Sequence, residues 1–302
     1  MISGSLLLKR DYEDKDVLSR FIRHNWLQLF ITTEIWLAIM YWLRQFYSDS
    51  ILITIGPKTA LIRFFQTLLF INQDTMASMW YMPMILCVYL MIPVISVGIK
   101  HLGNKLFAVL CAIVVVSAMI LPNINNIMKA LGSTQTLSFK IAADDIFSIY
   151  MVYVIAGYWI SQGFLEKLSS IQVFSIFALS FSWTTVYQFL IYTTPLSDDY
   201  LRYNDIGIFV SGSLLFELIR RKFSETTFLP AFIHFLSSSA LGIYFIHICI
   251  MEFTTMALER FTSIRYYASF VILEVSALAG SCIIIWLTSR NSYIKKYLYL
   301  MK

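Results

Sequence analysis

Apolar stretches of roughly 20 residues, the length needed to cross a bilayer as a helix, recur from one end of the chain to the other. They predict eight full spans, at about 27–46, 79–99, 106–122, 145–163, 171–193, 205–219, 236–255 and 266–288. Residues 1–8 read as the stub of a further helix, its last turns only. The fold class that follows is all-α, a polytopic membrane helical bundle. Composition agrees. The 302 residues are 58% hydrophobic and 14% charged, against roughly 25% charged in a soluble domain, and mean hydropathy is +0.70. Short loops and one hydrophobic body predict a single membrane domain over residues 1–302. Between the first and second spans, Lys58 to Asn72 places Leu61, Phe64, Phe65, Leu68 and Leu69 at helical spacing, which suits a helix lying flat on the membrane.

Orientation follows from the basic residues, which concentrate in cytoplasmic loops. One set of loops carries 15 of the 23 Lys and Arg, the other set 8. The richer set includes Arg20, Arg23, Lys100, Lys167, Arg220 to Lys222 and Lys295, so the C-terminus is expected in the cytoplasm and the protein in the cell membrane. Basic residues dispersed in loops give no support to nucleic-acid binding. The four cysteines, Cys87, Cys111, Cys249 and Cys282, each sit inside an apolar stretch with no CxxC pair, so they read as small buried hydrophobes and not as metal ligands. No metal site is expected.

Ionisable groups inside hydrocarbon are expensive, so each is a candidate functional residue. Glu34 falls about 7 residues into the first span, roughly 10 Å below its boundary. His247 and Glu274 fall near the middles of consecutive spans. Counted from their shared loop they reach similar depths, so a hydrogen-bonded pair that orients the imidazole is one reading, and two unrelated polar side chains the other. Arg20, Arg23 and His24 precede the first span, either as an anchor or facing an anionic ligand. Glu217, Arg220, Arg221 and Lys222 end a span, either as a phosphate site or as a positive-inside anchor. Asp144 and Asp145 read as ordinary helix capping.

Five segments, in order, resemble the acyltransferase-3 family of integral membrane O-acyltransferases. They are Met1-Ile2-Ser3-Gly4 with Leu6-Leu7-Leu8, and the basic segment from Arg20 leading into the helix of Trp36. Next come Met79-Trp80-Tyr81-Met82 followed by Tyr89-Leu90 and Pro93, and then Asp145 to Tyr158 ending in Ala156-Gly157-Tyr158. Last is Ser237 to His247, with Gly242-Ile243-Tyr244-Phe245-Ile246-His247. Together they cover nearly the whole chain.

The resemblance implies acyl transfer from a cytoplasmic donor, acetyl-CoA or another acyl-CoA, to a hydroxyl of a cell-envelope or exported polysaccharide. The donor is a substrate, and no bound cofactor is implied. The implied partners are the lipid bilayer, the acyl-CoA and a glycan acceptor. The expected catalytic residues are His247, Glu274 and Glu34, and the expected donor-binding residues Arg20, Arg23 and His24. The family's first helix, which carries the His usually taken as catalytic, has no counterpart here, and a chain lacking it is expected to be inactive or nearly so. Asn25 and Gln28 stand where relatives often have Arg, and Thr32 where they often have Pro. Two other polytopic classes compete: a transporter or flippase of envelope glycans, for which inverted internal repeats would speak and none is visible, and a polysaccharide polymerase, for which a large outer loop would.

Overall fold

The computed structural model describes residues 1–47, 51–71, 79–133, 135–137, 147–193, 203–224, 230–259 and 266–301. Asp144 and Asp145 lie outside the described residues. The described residues are mostly helical, with no strand among them, as a chain in hydrocarbon must satisfy its backbone hydrogen bonds within each segment. Six helical segments are long and apolar enough to cross a membrane: Lys15–Leu43, Tyr81–Leu102, Asn104–Ala130, Ser170–Ile191, Ala231–Leu258 and Phe270–Thr288. Two more of the predicted spans form helices that differ from these. One, Ile149–Ser161, is apolar but short. The other, Ile206–Ser224, ends in Glu217, Arg220, Arg221 and Lys222.

The chain forms two compact units. The first comprises Met1–Leu18 and Leu90–Thr227. It contains α1 (Ile2–Leu7), the second half of α5 (Tyr81–Leu102), α6 (Asn104–Val114), a π turn at Val115–Ile120 and α7 (Leu121–Ala130). It continues with α8 (Ile149–Ser161), α9 (Ser170–Thr193) and α10 (Ile206–Ser224). α1 and α8 meet through glycines. A Cβ on Gly4 would overlap the Val154 carbonyl, and one on Gly157 would overlap the backbone of Met1. Small residues permit this closeness where lipid supplies no hydrophobic drive to pack. After α1 the chain is tied to α5, because the Ser96 hydroxyl lies 3.0 Å from the carbonyls of both Leu8 and Arg10. Glu13 bonds Lys100 and His101, the latter at 2.7 Å.

At the end of α10 the Glu217 carboxylate is fully buried between two arginines. It receives Arg220 through Nε (2.7 Å) and Nη2 (3.0 Å), and Arg221 through Nε (2.6 Å). Arg221 then reaches the α8–α9 connection and donates to the carbonyls of Leu168 (2.8 Å) and Leu165 (2.7 Å). The Arg221 guanidinium thus holds a loop in place, so it is not the open phosphate ligand that one reading of the sequence allowed.

The second unit comprises Ser19–Tyr89 and Phe228–Lys302. The end of α2 (Lys15–Phe21) passes through a π turn, Ile22–Trp26, into α3 (Leu27–Tyr47). Then come α4 (Ile51–Leu68), the start of α5, α11 (Ala231–Glu259), α12 (Tyr266–Thr288) and the short α13 (Ser292–Tyr297). α4 bends at Gly56, whose φ of +71° suits glycine, followed by Pro57. One face of α4 leaves Leu61, Ile62, Phe65 and Leu69 exposed, and the other buries Ala60 and Thr67. The core joins Leu29, Trp36, Leu37 and Met40 of α3 to Met82 and Leu86 of α5, Phe245 and Ile246 of α11, Ile285 of α12 and Tyr299. Among the cysteines only Cys111 is fully buried, and Cys87 is exposed on α5, so the expectation of four buried cysteines is corrected.

Candidate functional site

All six candidate residues lie in the second unit. Two aromatic rings fix the relative depth of α3 and α11. Trp36 and Phe245 stack at 5.1 Å with planes 8° apart, and one turn further on the Cys249 sulfur touches that of Met40 at 3.2 Å. α3 and α11 therefore run parallel, with 36 level with 245 and 40 level with 249.

His247 lies just past the middle of α11, half-buried. Its Nδ1 is 3.1 Å from the Ile243 carbonyl. A carbonyl only accepts, so Nδ1 carries a hydrogen, and Nε2 is the ring nitrogen left for other chemistry. The ring lies 5.8 Å from that of Tyr244, which contacts Tyr81 at 5.6 Å. His247 thus points Nδ1 at the backbone and has no partner on Nε2 among the described residues, beside the Tyr244 ring.

Glu274 does not join it. The Thr254 and Ser276 hydroxyls meet at 3.1 Å, and Ile250 packs at Gly280. This register puts His247 level with about Cys282, some eight residues or roughly 12 Å along α12 from Glu274. Glu274 is also exposed. The expected His247–Glu274 pair is therefore corrected. α11 continues to Glu259, so His247 sits deeper below the end of its helix than counting from residue 255 implies.

Glu34 does not face His247 either. Each is two residues from the stacked rings, about 200° around its helix, so both turn away from the Trp36–Phe245 contact. Glu34 looks toward α4. On either side of it Phe30 contacts Phe70, and Tyr41 contacts Phe64. Its Oε1 is buried and has no hydrogen-bond partner among the described residues. The neighbouring threonines are spoken for: Thr33 donates to the Leu29 carbonyl and Thr32 to the Tyr297 carbonyl.

Arg20, Arg23 and His24 stand at the head of the same continuous helix, all exposed. Neither arginine makes an ion pair or hydrogen bond among the described residues, and His24 contacts only Gln28, at 3.4 Å. Arg23 and His24 lie within the π turn, a widened turn that recurs at functional sites.

Sequence reasoning missed the C-terminal strap. After α13 the chain turns back into the unit, with Leu300 at φ +50°. The Leu298 carbonyl accepts the Trp36 indole N–H at 2.9 Å. Tyr299 is buried, its ring against Gly242 and its hydroxyl 2.7 Å from that of Thr288. The one available signal was the run of apolar residues after Lys296.

These observations define a polytopic helical membrane protein with a cationic helix end that is unpaired among the described residues, and a half-buried imidazole. The family model of an acyltransferase domain matches residues 1–290. The chain belongs to this family, the acyltransferase-3 membrane acyltransferases. Comparison with curated proteins and with solved structures gave no match.

Proposed function

We propose that this protein transfers an acyl group, acetyl in the first instance, from acyl-CoA to a hydroxyl of a cell-envelope or exported polysaccharide. It does so in the cell membrane with its C-terminus in the cytoplasm. The observation that carries the donor assignment is the two exposed guanidinium groups of Arg20 and Arg23, unpaired among the described residues, beside His24. Arginine suits phosphate through its planar fork of donors, and coenzyme A presents phosphates at one end and its thioester at the other. Glu34 lies eleven residues from Arg23, roughly 16 Å along the helix. Its unpartnered carboxyl oxygen suits an amide N–H of the pantetheine arm.

His247 is the proposed base, and with it the chain is proposed to be active, against the inactivity expected of it from sequence. A sugar hydroxyl attacks a thioester poorly until its proton is taken during attack. Nε2 accepts that proton as the hydroxyl oxygen bonds to the carbonyl carbon. The C–S bond then breaks, and the imidazolium returns the proton to the departing thiolate, leaving an ester and free CoA-SH. Glu274 has no part in this step.

The test is binding of acetyl-CoA to the full chain in lipid nanodiscs. Replacing Arg20 and Arg23 together by Ala should weaken binding at least tenfold and flatten its salt dependence. Unchanged affinity would refute the donor site.

A further inference from the structure

In the first unit, the ends of α7, α8, α9 and α10 carry a polar group that the site above does not use. Asp205, 3% exposed, heads α10. Its Oδ1 accepts the Ile208 N–H at 3.0 Å, and its Oδ2 accepts Nδ2 of Asn123 at 2.8 Å. No cation pairs with it among the described residues. One turn beyond Asn123, the Nδ2 of Asn126 donates to the buried Tyr187 hydroxyl at 3.1 Å. The π turn at Val115–Ile120 immediately precedes this helix. One extra residue in a turn rotates everything after it by about 100°, which brings both asparagines onto the face that meets α9 and α10.

Both asparagines spend their amide N–H groups on the protein. Their Oδ1 atoms take no donor from it among the described residues, and neither atom is sealed from the surface. Tyr153 closes the group. Its hydroxyl donates to the Tyr203 carbonyl at 2.8 Å, and it lies within electrostatic reach of Asp205. The Tyr203 ring is exposed beside Tyr150, at 6.5 Å. The group lies at the end of α10 opposite to Glu217 and Arg221.

Polar side chains within a membrane span are costly and mark substrate paths. Among the described residues this group joins a buried carboxylate that has no counter-charge to two open amide oxygens beside tyrosine rings. Such a surface accepts hydrogen bonds and offers few. It fits a ligand rich in O–H donors, without charge, whose C–H faces lie against aromatic rings. We propose that Asp205, Asn123 and Asn126 form a subsite for a neutral glycan. This rests on the acyl-transfer reading, in which that glycan is the acceptor.

The test uses the full chain in nanodiscs and three probes, cellotetraose, maltotetraose and chitotetraose, followed by calorimetry. Asp205→Asn keeps size and helix-capping ability, removes the charge and turns the oxygen that accepts from Asn123 into a donor. Asn126→Ala removes one open acceptor. At least one tetrasaccharide should bind, and each substitution should weaken it tenfold or more at a temperature where the variant is still folded, while acetyl-CoA binding stays as in the native chain. Failure of all three sugars to bind, or equal binding by both variants, overturns the subsite. Loss of sugar binding with acyl transfer retained overturns the subsite alone. Sugar binding that is sensitive to both substitutions, with no acyl transfer to any acceptor, supports the subsite and removes the acyltransferase reading.

Discussion

Trp36 lies flat against Phe245, 5.1 Å away and 8° from parallel, and hands its indole N–H to the Leu298 carbonyl 2.9 Å away. One side chain of α3 thereby fixes the depth of α11 and seats the C-terminal strap. The same contact sets where His247 stands, two residues beyond Phe245.

Removing that ring should loosen the whole second unit. Trp36→Ala is expected to cost roughly 3–5 kcal/mol, as large-to-small changes at buried aromatics do. Trp36→Phe keeps the stack and loses one hydrogen bond, at about 1 kcal/mol. Thermal unfolding in a single detergent measures both. Equal melting temperatures for the two variants would show that the hydrogen bond and not the stack matters.

Glu217 is the other anchor. Glu217→Ala leaves Arg220 and Arg221 without their shared carboxylate in a buried position, and breaking such a group typically costs roughly 3–5 kcal/mol. Because Arg221 also holds the carbonyls of Leu165 and Leu168, hydrogen exchange should rise at 163–169 before it rises in α9. Exchange that rises uniformly across the unit would contradict the loop-clamp role.

The Glu13 contacts carry a pH dependence. Hydrogen bonds from Lys100 and then His101 hold the Glu13 carboxyl below its ordinary value. A depressed carboxyl stabilises the folded form fully above its unfolded pKa, about 4.3, and that contribution fades as pH falls through the folded value. The stability difference between the native chain and Glu13→Gln should therefore be present at pH 5 and shrink below pH 4. A difference that grows on acidification would reverse the sign and refute the contact.

Much of this architecture was legible in the sequence, because hydrocarbon enforces it. Each predicted span corresponds to a helix, since apolar length and internal hydrogen bonding leave one solution. His247 stood out as a polar group inside an apolar run, and Arg20 and Arg23 as cations before one. What failed was register. Glu274 was matched to His247 by counting from a loop whose edges were misjudged by a turn, and contacts such as Thr254–Ser276 belong to packing, which periodicity does not encode. The strap at Leu298–Met301 and the role of Arg221 depend on partners more than 50 residues away, beyond the reach of any local pattern. Asn123 and Asn126 were visible as letters. Only the π turn before them aligns them with Asp205.

The two carboxyl candidates separate by position. Glu274→Gln should leave acyl transfer unchanged, because the side chain is exposed and about 12 Å along the helix from His247. Glu34→Gln should raise the KM for acyl-CoA with a smaller effect on kcat. A kcat collapse in Glu274→Gln would restore it as a partner of the base.

The most direct test is acyl transfer itself. Cells lacking their own envelope O-acetyltransferases would express either the native chain or His247→Ala at matched membrane levels, and ester-linked acetate on exported polysaccharide would be measured after labelling the acetyl-CoA pool. The account predicts esters with the native chain and a fall of about 10²–10⁴-fold with His247→Ala, the range a lost general base produces. Esters at equal levels from both chains would contradict it.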